Sequence, residues 1–128
     1  MHINHIAIWT SDLERLKLFY QTFLNAACGL KYINPHRRFE SYFLTFEQGA
    51  RLELMTIPDL KDIGSDRSLL LGYSHLAFSV GSEKKVDELT ERMRDVGVKI
   101  ISEPRRTGDG YYESVVADPD GNSVELTV

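Results

Sequence analysis

The sequence predicts an α+β fold of two repeated βαβββ modules, and three observations carry that prediction. Near-identical strings recur along the chain: NHIAI at 4–8 and SHLAFSV at 74–80 share a histidine, while LEL at 52–54 and VELT at 124–127 share a glutamate. The spacing agrees, because His75 follows His5 by 70 residues and Glu125 follows Glu53 by 72. Each histidine strand precedes one amphipathic helical segment, after which turn residues divide the chain into short strands. The modules are expected at 1–57 and 73–128, joined by a linker over 58–72, and together they make one domain over 1–128.

Residues 3–9 (INHIAIW) are β-branched and aromatic enough for a strand. Ser11 and Glu14 then have the spacing of a capping box. Leu13, Leu16, Phe19, Tyr20, Phe23 and Leu24 recur at three and four residues, the period that keeps one helical stripe against a sheet, and Gly29 is expected to close the helix. Strands are predicted near Leu30–Ile33, over Phe39–Phe46 and over Ala50–Ile57, with a turn at Asn34–Arg38.

The second half repeats the order. A strand is expected over Tyr73–Val80 and a helix from Ser82 to about Val96, striped by Val86, Leu89, Met93 and Val96 and ended by Gly97. Three strands follow over Val98–Ser102, Tyr111–Ala117 and Ser123–Val128, the last two joined by the turn sequence DPDGN at 118–122. NPHRRFES at 34–41 also resembles EPRRTGDGYYES at 103–114 in order and composition. Pro58–Gly72 is too long for a hairpin and reads as the crossing between modules.

Strand parity locates a candidate site. Alternate residues of a strand point to opposite faces, and a shift by one exchanges them. Ile6, Ile8, Leu52, Leu54, Leu76, Phe78, Val80, Val124, Leu126 and Val128 share one parity, an apolar surface for the helices to cover. His5, Glu53, His75 and Glu125 share the other. Ala7, Trp9, Met55, Ile57 and Ala77 lie beside them, so this face is partly apolar and reads as a cavity lining that a curved sheet would enclose, with the helices outside. Two carboxylates in such a cavity repel each other and lose hydration, whereas one divalent ion satisfies both together with two neutral imidazoles. Two nitrogens and two carboxylates suit Ni, Co, Mn, Fe or Zn alike. His2 and His36 fall outside the pattern and read as surface residues, and Cys28 reads as a small packed thiol.

Composition narrows the partners. A net charge of −4 opposes a nucleic-acid or anionic-membrane surface, since such partners need a basic excess, and leaves a small-molecule substrate. A single cysteine, no apolar run near about 18 residues and an N-terminus without a charged start followed by an apolar run read as cytoplasmic.

The motifs HIAI at 5–8, DLERLKLFYQTFL at 12–24, LELMT at 52–56, HLAFSV at 75–80 and DPDGNSVEL at 118–126 carry a family resemblance. Over nearly the whole chain the sequence resembles the glyoxalase, bleomycin-resistance and extradiol dioxygenase superfamily, the vicinal oxygen chelate proteins. The resemblance implies two βαβββ modules curled round a divalent metal, and the His, Glu, His, Glu ligand pattern of glyoxalase I falls on His5, Glu53, His75 and Glu125. It implies a metal-dependent lyase or isomerase working through an enediolate-type intermediate, with Glu125 first and Glu53 second as the base. It also implies a homodimer, because modules of this family pair within one chain or by exchange between two.

Two alternatives stand beside that reading. A dioxygenase or thiol transferase of the same superfamily commonly uses two His and one Glu, which leaves Glu53 unexplained; a non-catalytic drug- or metabolite-binding resistance protein usually lacks the ligands altogether. Similar bacterial glyoxalases carry Arg and Asn where this chain has Trp9 and Ile57, which disfavours a glutathione thioester as substrate. Arg37, Arg38, Arg105 and Arg106 form two basic pairs that read as exposed arginines in turns, although they stand where an anionic substrate would meet the rim.

Overall fold

The computed structural model of the protein describes residues 1–61 and 71–128. It divides into two compact units, Met1–Asp62 and Ile63–Val128. The expected linker over 58–72 falls for the most part, at 62–70, outside the described residues.

In the first unit β1 (His5–Trp9) leads to α1 (Leu13–Leu24), followed by β2 (Ala27–Cys28), β3 (Tyr32–Asn34), β4 (Phe39–Thr45) and β5 (Arg51–Thr56). The strands pair in the order β1-β5-β4-β2, with β3 also on β4. β1 runs parallel to β5, and the other pairs are antiparallel. α1 buries Leu13, Leu16, Phe19 and Tyr20, and Leu44, Leu52 and Leu54 of the sheet are also buried, which forms the core of this unit. Full burial of a side chain of this size contributes about 1.5–3 kcal/mol.

The second unit repeats the plan with β6 (His75–Ser79), α2 (Glu83–Asp95), β7 (Ile100–Arg106), β8 (Tyr112–Ala117) and β9 (Ser123–Thr127). Its sheet has the order β6-β9-β8-β7, with β6 parallel to β9. Val86, Thr90 and Met93 of α2 are buried, as are Ser114, Val116, Val124 and Leu126 of the sheet. The βαβββ plan of the sequence reading is therefore present in both halves. Among the described residues no helix is long and apolar enough to cross a membrane.

Several local expectations need correction. α1 is capped by Asp12, not Ser11: the Asp12 carboxylate accepts from the Arg15 amide at 3.0 Å, and Thr10 Oγ1 accepts from the Asp12 amide at 3.1 Å, so the chain turns one residue later than a capping box from Ser11 would have it. Glu14 instead meets Lys17, Lys31 and Tyr42, which hold its carboxyl down at about 2. The helix ends at Asn25, in the left-handed region with φ 53°, four residues before Gly29, because Asn tolerates that conformation. Two-residue β2 was not expected, and β3 begins two residues after the predicted strand.

β7 starts and ends later than expected. Gly97 at φ 85° turns the chain after α2, and the Val98 amide is held by the Met93 carbonyl at 3.0 Å, so pairing begins only at Ile100. The strand then runs on to Arg106 with register shifts between Ile100 and Ser102 and between Ser102 and Arg105. Pro104 lies inside the second irregularity on an edge strand, where a missing amide hydrogen costs no ladder bond.

The likeness between NPHRRFES and EPRRTGDGYYES is out of register in three dimensions. Glu53 faces Phe43 across the sheet and Glu125 faces Val115, so Glu113 stands in the place of Ser41, not of Glu40. Ser41 shares the strand face of Met55 and Glu53, whereas Ser114 turns to α2, where its hydroxyl meets Thr90 Oγ1 at 2.7 Å. The matching letters lie on opposite faces.

Candidate metal centre

Each unit brings one imidazole to one carboxylate, by the same geometry. In the first, His5 pairs with Arg51 and Ala7 with Glu53 along the parallel ladder, so His5 and Glu53 are diagonal neighbours on one face. In the second, His75 pairs with Ser123 and Ala77 with Glu125, the same diagonal. His5 Nε2 lies 3.7 Å from Glu53 Oε2, and His75 Nε2 lies 3.5 Å from Glu125 Oε2. Side-chain exposure matches too: 40% and 45% for the histidines and 15% for each glutamate.

Both pairs occupy the face opposite their helix. Exposure alternates along β1 and β6, with His5, Ala7, Trp9, His75, Ala77 and Ser79 on the open side, and along β5 and β9 the leucine and valine positions flanking Glu53 and Glu125 are buried. The parity argument from sequence thus agrees with the strand faces.

The donor sets fit a divalent cation. Two ligands at about 2.1 Å from one ion stand about 3.0 to 3.6 Å apart for ligand angles of about 90° to 120°; the 3.5 Å of the second pair falls within that span and the 3.7 Å of the first lies just beyond it. His5 Nδ1 meets Asn4 Oδ1 at 2.9 Å, a contact in which the ring nitrogen donates to the amide oxygen and which leaves Nε2 facing Glu53. Asn4 Oδ1 is itself held by Arg51 Nη2 at 2.6 Å, and that guanidinium lies over Phe43 at 4.5 Å, while Phe43 meets the edge of His5 at 5.4 Å. The imidazole orientation is set by this surround. Within each unit the gathered ligands number two, and among the described residues no group of three or more His, Cys, Asp or Glu stands together.

Glu125 is electrostatically distinct. Burial first, and then the negative charge of Glu113, push its carboxyl above the ordinary carboxylate value, with His75 partly offsetting them. Sequence reading missed Glu113. Its signal was present, because an even hairpin across DPDGN puts Glu113 opposite Thr127, on the side of Glu125. Arg105 Nη2 approaches Glu113 Oε1 at 3.5 Å, and Arg105 Nε donates to Ser102 Oγ at 3.2 Å. Arg105 and Arg106 are not in a turn, contrary to the expectation; they end β7 and diverge. Arg106 turns to α2, pairing with Glu83 and lying over Tyr112. Arg37 and Arg38 do lie in an exposed turn, as does His36, and His2 is exposed. Partial burial raises the Cys28 thiol pKa, which disfavours the thiolate.

Beyond the ligand pairs the two units differ. The next row of the first sheet reads Trp9, Met55, Ser41 and Tyr32 across four strands, with Phe39 against both Trp9 and Tyr32. The equivalent row of the second reads Ser79, Thr127, Glu113 and Arg105. One row is largely aromatic and apolar; the other is polar and charged.

The family model of the Glyoxalase/Bleomycin resistance protein/Dioxygenase superfamily matches residues 2–126. The chain belongs to this superfamily. The uncharacterized protein YwkD of Bacillus subtilis is 34% identical over 127 residues, which span 97% of this chain and 94% of that one. Glyoxalase I from Zea mays superposes with a TM-score of 0.79 at 26% identity over 98% of this chain, which spans only 44% of the maize chain. A mutant of the fosfomycin resistance protein FosX from Listeria monocytogenes, complexed with Mn(II) and dihydroxypropylphosphonic acid, superposes with a TM-score of 0.74 at 25% identity, over 98% of this chain and 90% of that one. Superfamily membership accounts for the twice-repeated module, and the FosX complex is an instance of a divalent ion in a similar fold.

Proposed function

We propose that the protein is a glyoxalase-like, divalent-metal-dependent lyase or isomerase acting on a small substrate with vicinal oxygens. One observation carries the reading: the same His–Glu diagonal stands on the open face of both sheets, with donor separations of 3.5 and 3.7 Å. Two such pairs would together supply two imidazoles and two carboxylates to a divalent ion, a donor set that suits such a cation. His5, Glu53, His75 and Glu125 hold the ion, within one chain or across a homodimer, with 1–57 and 73–128 as modules of one domain. When bound, the ion supplies Lewis acidity that stabilises negative charge on the substrate oxygens.

The chain's own residues provide the rest. Glu125 takes the proton from the carbon beside a substrate oxygen, giving an enediolate-type species, and returns it to the neighbouring carbon. Its raised proton affinity brings it closer to the range where a carboxylate serves as base and then as acid. Glu53 is the second candidate for that transfer. His5 and His75 remain neutral ligands, His5 oriented through Asn4.

Elemental analysis of purified protein, with a turnover screen on α-ketoaldehyde adducts of several thiols, tests the reading. One divalent ion per chain is expected, lost on His5→Ala or His75→Ala alike, with turnover abolished in Glu125→Gln. Wild-type protein that binds ligands with no stoichiometric metal and no turnover would be a sequestering protein. Unchanged turnover in metal-loaded Glu125→Gln would remove Glu125 as the base.

A further inference from the structure

The geometry points to Arg105 as an anion-recognition residue, which would make the substrate a vicinal-oxygen compound bearing a carboxylate or phosphonate group; this rests on the metal reading above. Arg105, Glu113 and Thr127 are consecutive partners across β7, β8 and β9, one row along from Val115 and Glu125 and on the same face. A row step of two strand residues is about 7 Å, a few bonds from the ligand carboxylate. An acidic group that far from the reacting carbon comes within reach of a guanidinium from the next strands.

Three features separate this arginine from an ordinary surface cation. First, Arg105 is held by two groups: Nη2 faces Glu113 Oε1 at 3.5 Å and Nε donates to Ser102 Oγ at 3.2 Å, while 53% of the side chain stays open to solvent. A guanidinium fixed along one edge and open elsewhere offers a planar fork to an oxyanion with little ordering left to do. Second, its partner is not a surface carboxylate, because the Glu113 side chain is only 13% exposed. That carboxyl also hydrogen-bonds the Glu125 side chain, and Arg105 is the cation beside it. Third, the register shifts on either side of Ser102 re-aim the strand so that Ser102 and Arg105 face Val115 and Glu113; such irregularities commonly turn a side chain toward a site.

The duplicated module supplies an internal control. Tyr32 and Ser41 occupy the equivalent places in the first sheet without an ion pair, so the row needs no charges for the module to fold. Neighbouring Arg106 pairs with Glu83 on the helix side, away from the site.

The test compares two probes, 1,2-dihydroxypropylphosphonic acid and neutral 1,2-propanediol, by calorimetric titration of metal-loaded wild type, Arg105→Met and Arg105→Lys. The wild type should prefer the phosphonate. Arg105→Met should lose about tenfold to a hundredfold of that preference, with metal content and diol affinity unchanged. Arg105→Lys, which keeps the charge without the fork, should fall between them. Methylphosphonate titration of metal-free protein, read on arginine Nε–H signals by NMR, forms the second arm. A saturable shift that disappears in Arg105→Met supports the anion site even if the wild type holds no metal, a result that would sink the metal reading alone. Full retention of phosphonate preference in metal-loaded Arg105→Met, or no Arg105 shift in the metal-free titration, overturns the assignment.

Discussion

The Thr90–Ser114 hydroxyl pair ties α2 to the strand that carries Glu113, and removing it yields a quantitative prediction. Both residues are fully buried; Thr90 Oγ1 donates to the Val86 carbonyl at 2.7 Å and lies 2.7 Å from Ser114 Oγ. The Val86 carbonyl is also an ordinary helix acceptor, so it loses little when the threonine hydroxyl goes. In Thr90→Val the bond the structure gives to Ser114 Oγ is lost inside the core, at about 1–3 kcal/mol. In Ser114→Ala the Thr90 hydroxyl keeps Val86, and the cost is about 1 kcal/mol. The double variant leaves no polar atom stranded, so it should be less destabilised than the sum of the singles by about 1–2 kcal/mol. At about 4 °C per kcal/mol for a chain this size, Thr90→Val alone lowers Tm by about 4–12 °C. The assay is thermal unfolding followed by circular dichroism, with a chelator present so that metal linkage does not mask the difference. Additive single-variant costs would show that the hydroxyls do not act as a pair.

Two other perturbations follow. Glu125 has a raised carboxyl pKa in the folded protein, so folding is favoured by its protonation: that stability is fully present below the ordinary value of 4.5 and lost as pH rises through the folded value. Metal-free Glu125→Gln should therefore match the wild type near pH 4 and exceed it at pH 7 in denaturant unfolding; lower stability at pH 7 would contradict the burial argument. Arg38 sits in the exposed turn before β4 at φ 52°, a left-handed conformation that L side chains adopt at a cost. Arg38→Gly should raise stability by about 0.5 kcal/mol in urea unfolding and leave metal content unchanged, and a loss of stability would show that the arginine side chain does more than occupy a turn.

What the sequence revealed depended on whether the physical signal was local. The alternation in HIAIW and HLAFS and the leucines of RLELMT and valine of SVELT specify which side of each strand is buried, and from that follows the shared face of His5 with Glu53 and of His75 with Glu125. The DPDGN turn was equally legible: Asp118 Oδ1 accepts from the amides of Asp120 and Asn122 at 2.9 Å each, the reason an aspartate opens it. By contrast, the parallel pairing of β1 with β5 depends on strands 46 residues apart, counted from His5 to Arg51, and no local pattern announces it. The course of β7 was hidden because its register shifts are set by the partner strand. The first helix cap was missed by one residue, since Ser11 and Asp12 are both good caps and only the Thr10 turn decides between them. Matching the letters ES at 40–41 and 113–114 misled for a sharper reason: a slip of one residue exchanges faces, so likeness in a string is no guide to likeness in space.

That slip bears on how chemistry and specificity are divided in this fold. The ligand diagonal is the same in both units down to the register, with a separation differing by 0.2 Å, so a histidine and a glutamate two rungs apart on parallel strands are compatible with either module's surroundings. The adjacent row differs in kind, Trp9–Met55–Ser41–Tyr32 in one and Ser79–Thr127–Glu113–Arg105 in the other, although both modules build the same sheet order from the histidine strand through the glutamate strand to its antiparallel neighbour. Since folding tolerates either character there, packing does not explain why one row is aromatic and the other ionic. The identities in that row are then free to answer to a ligand: a flat apolar surface beside the first pair, and an oriented cation with its half-buried carboxyl partner beside the second.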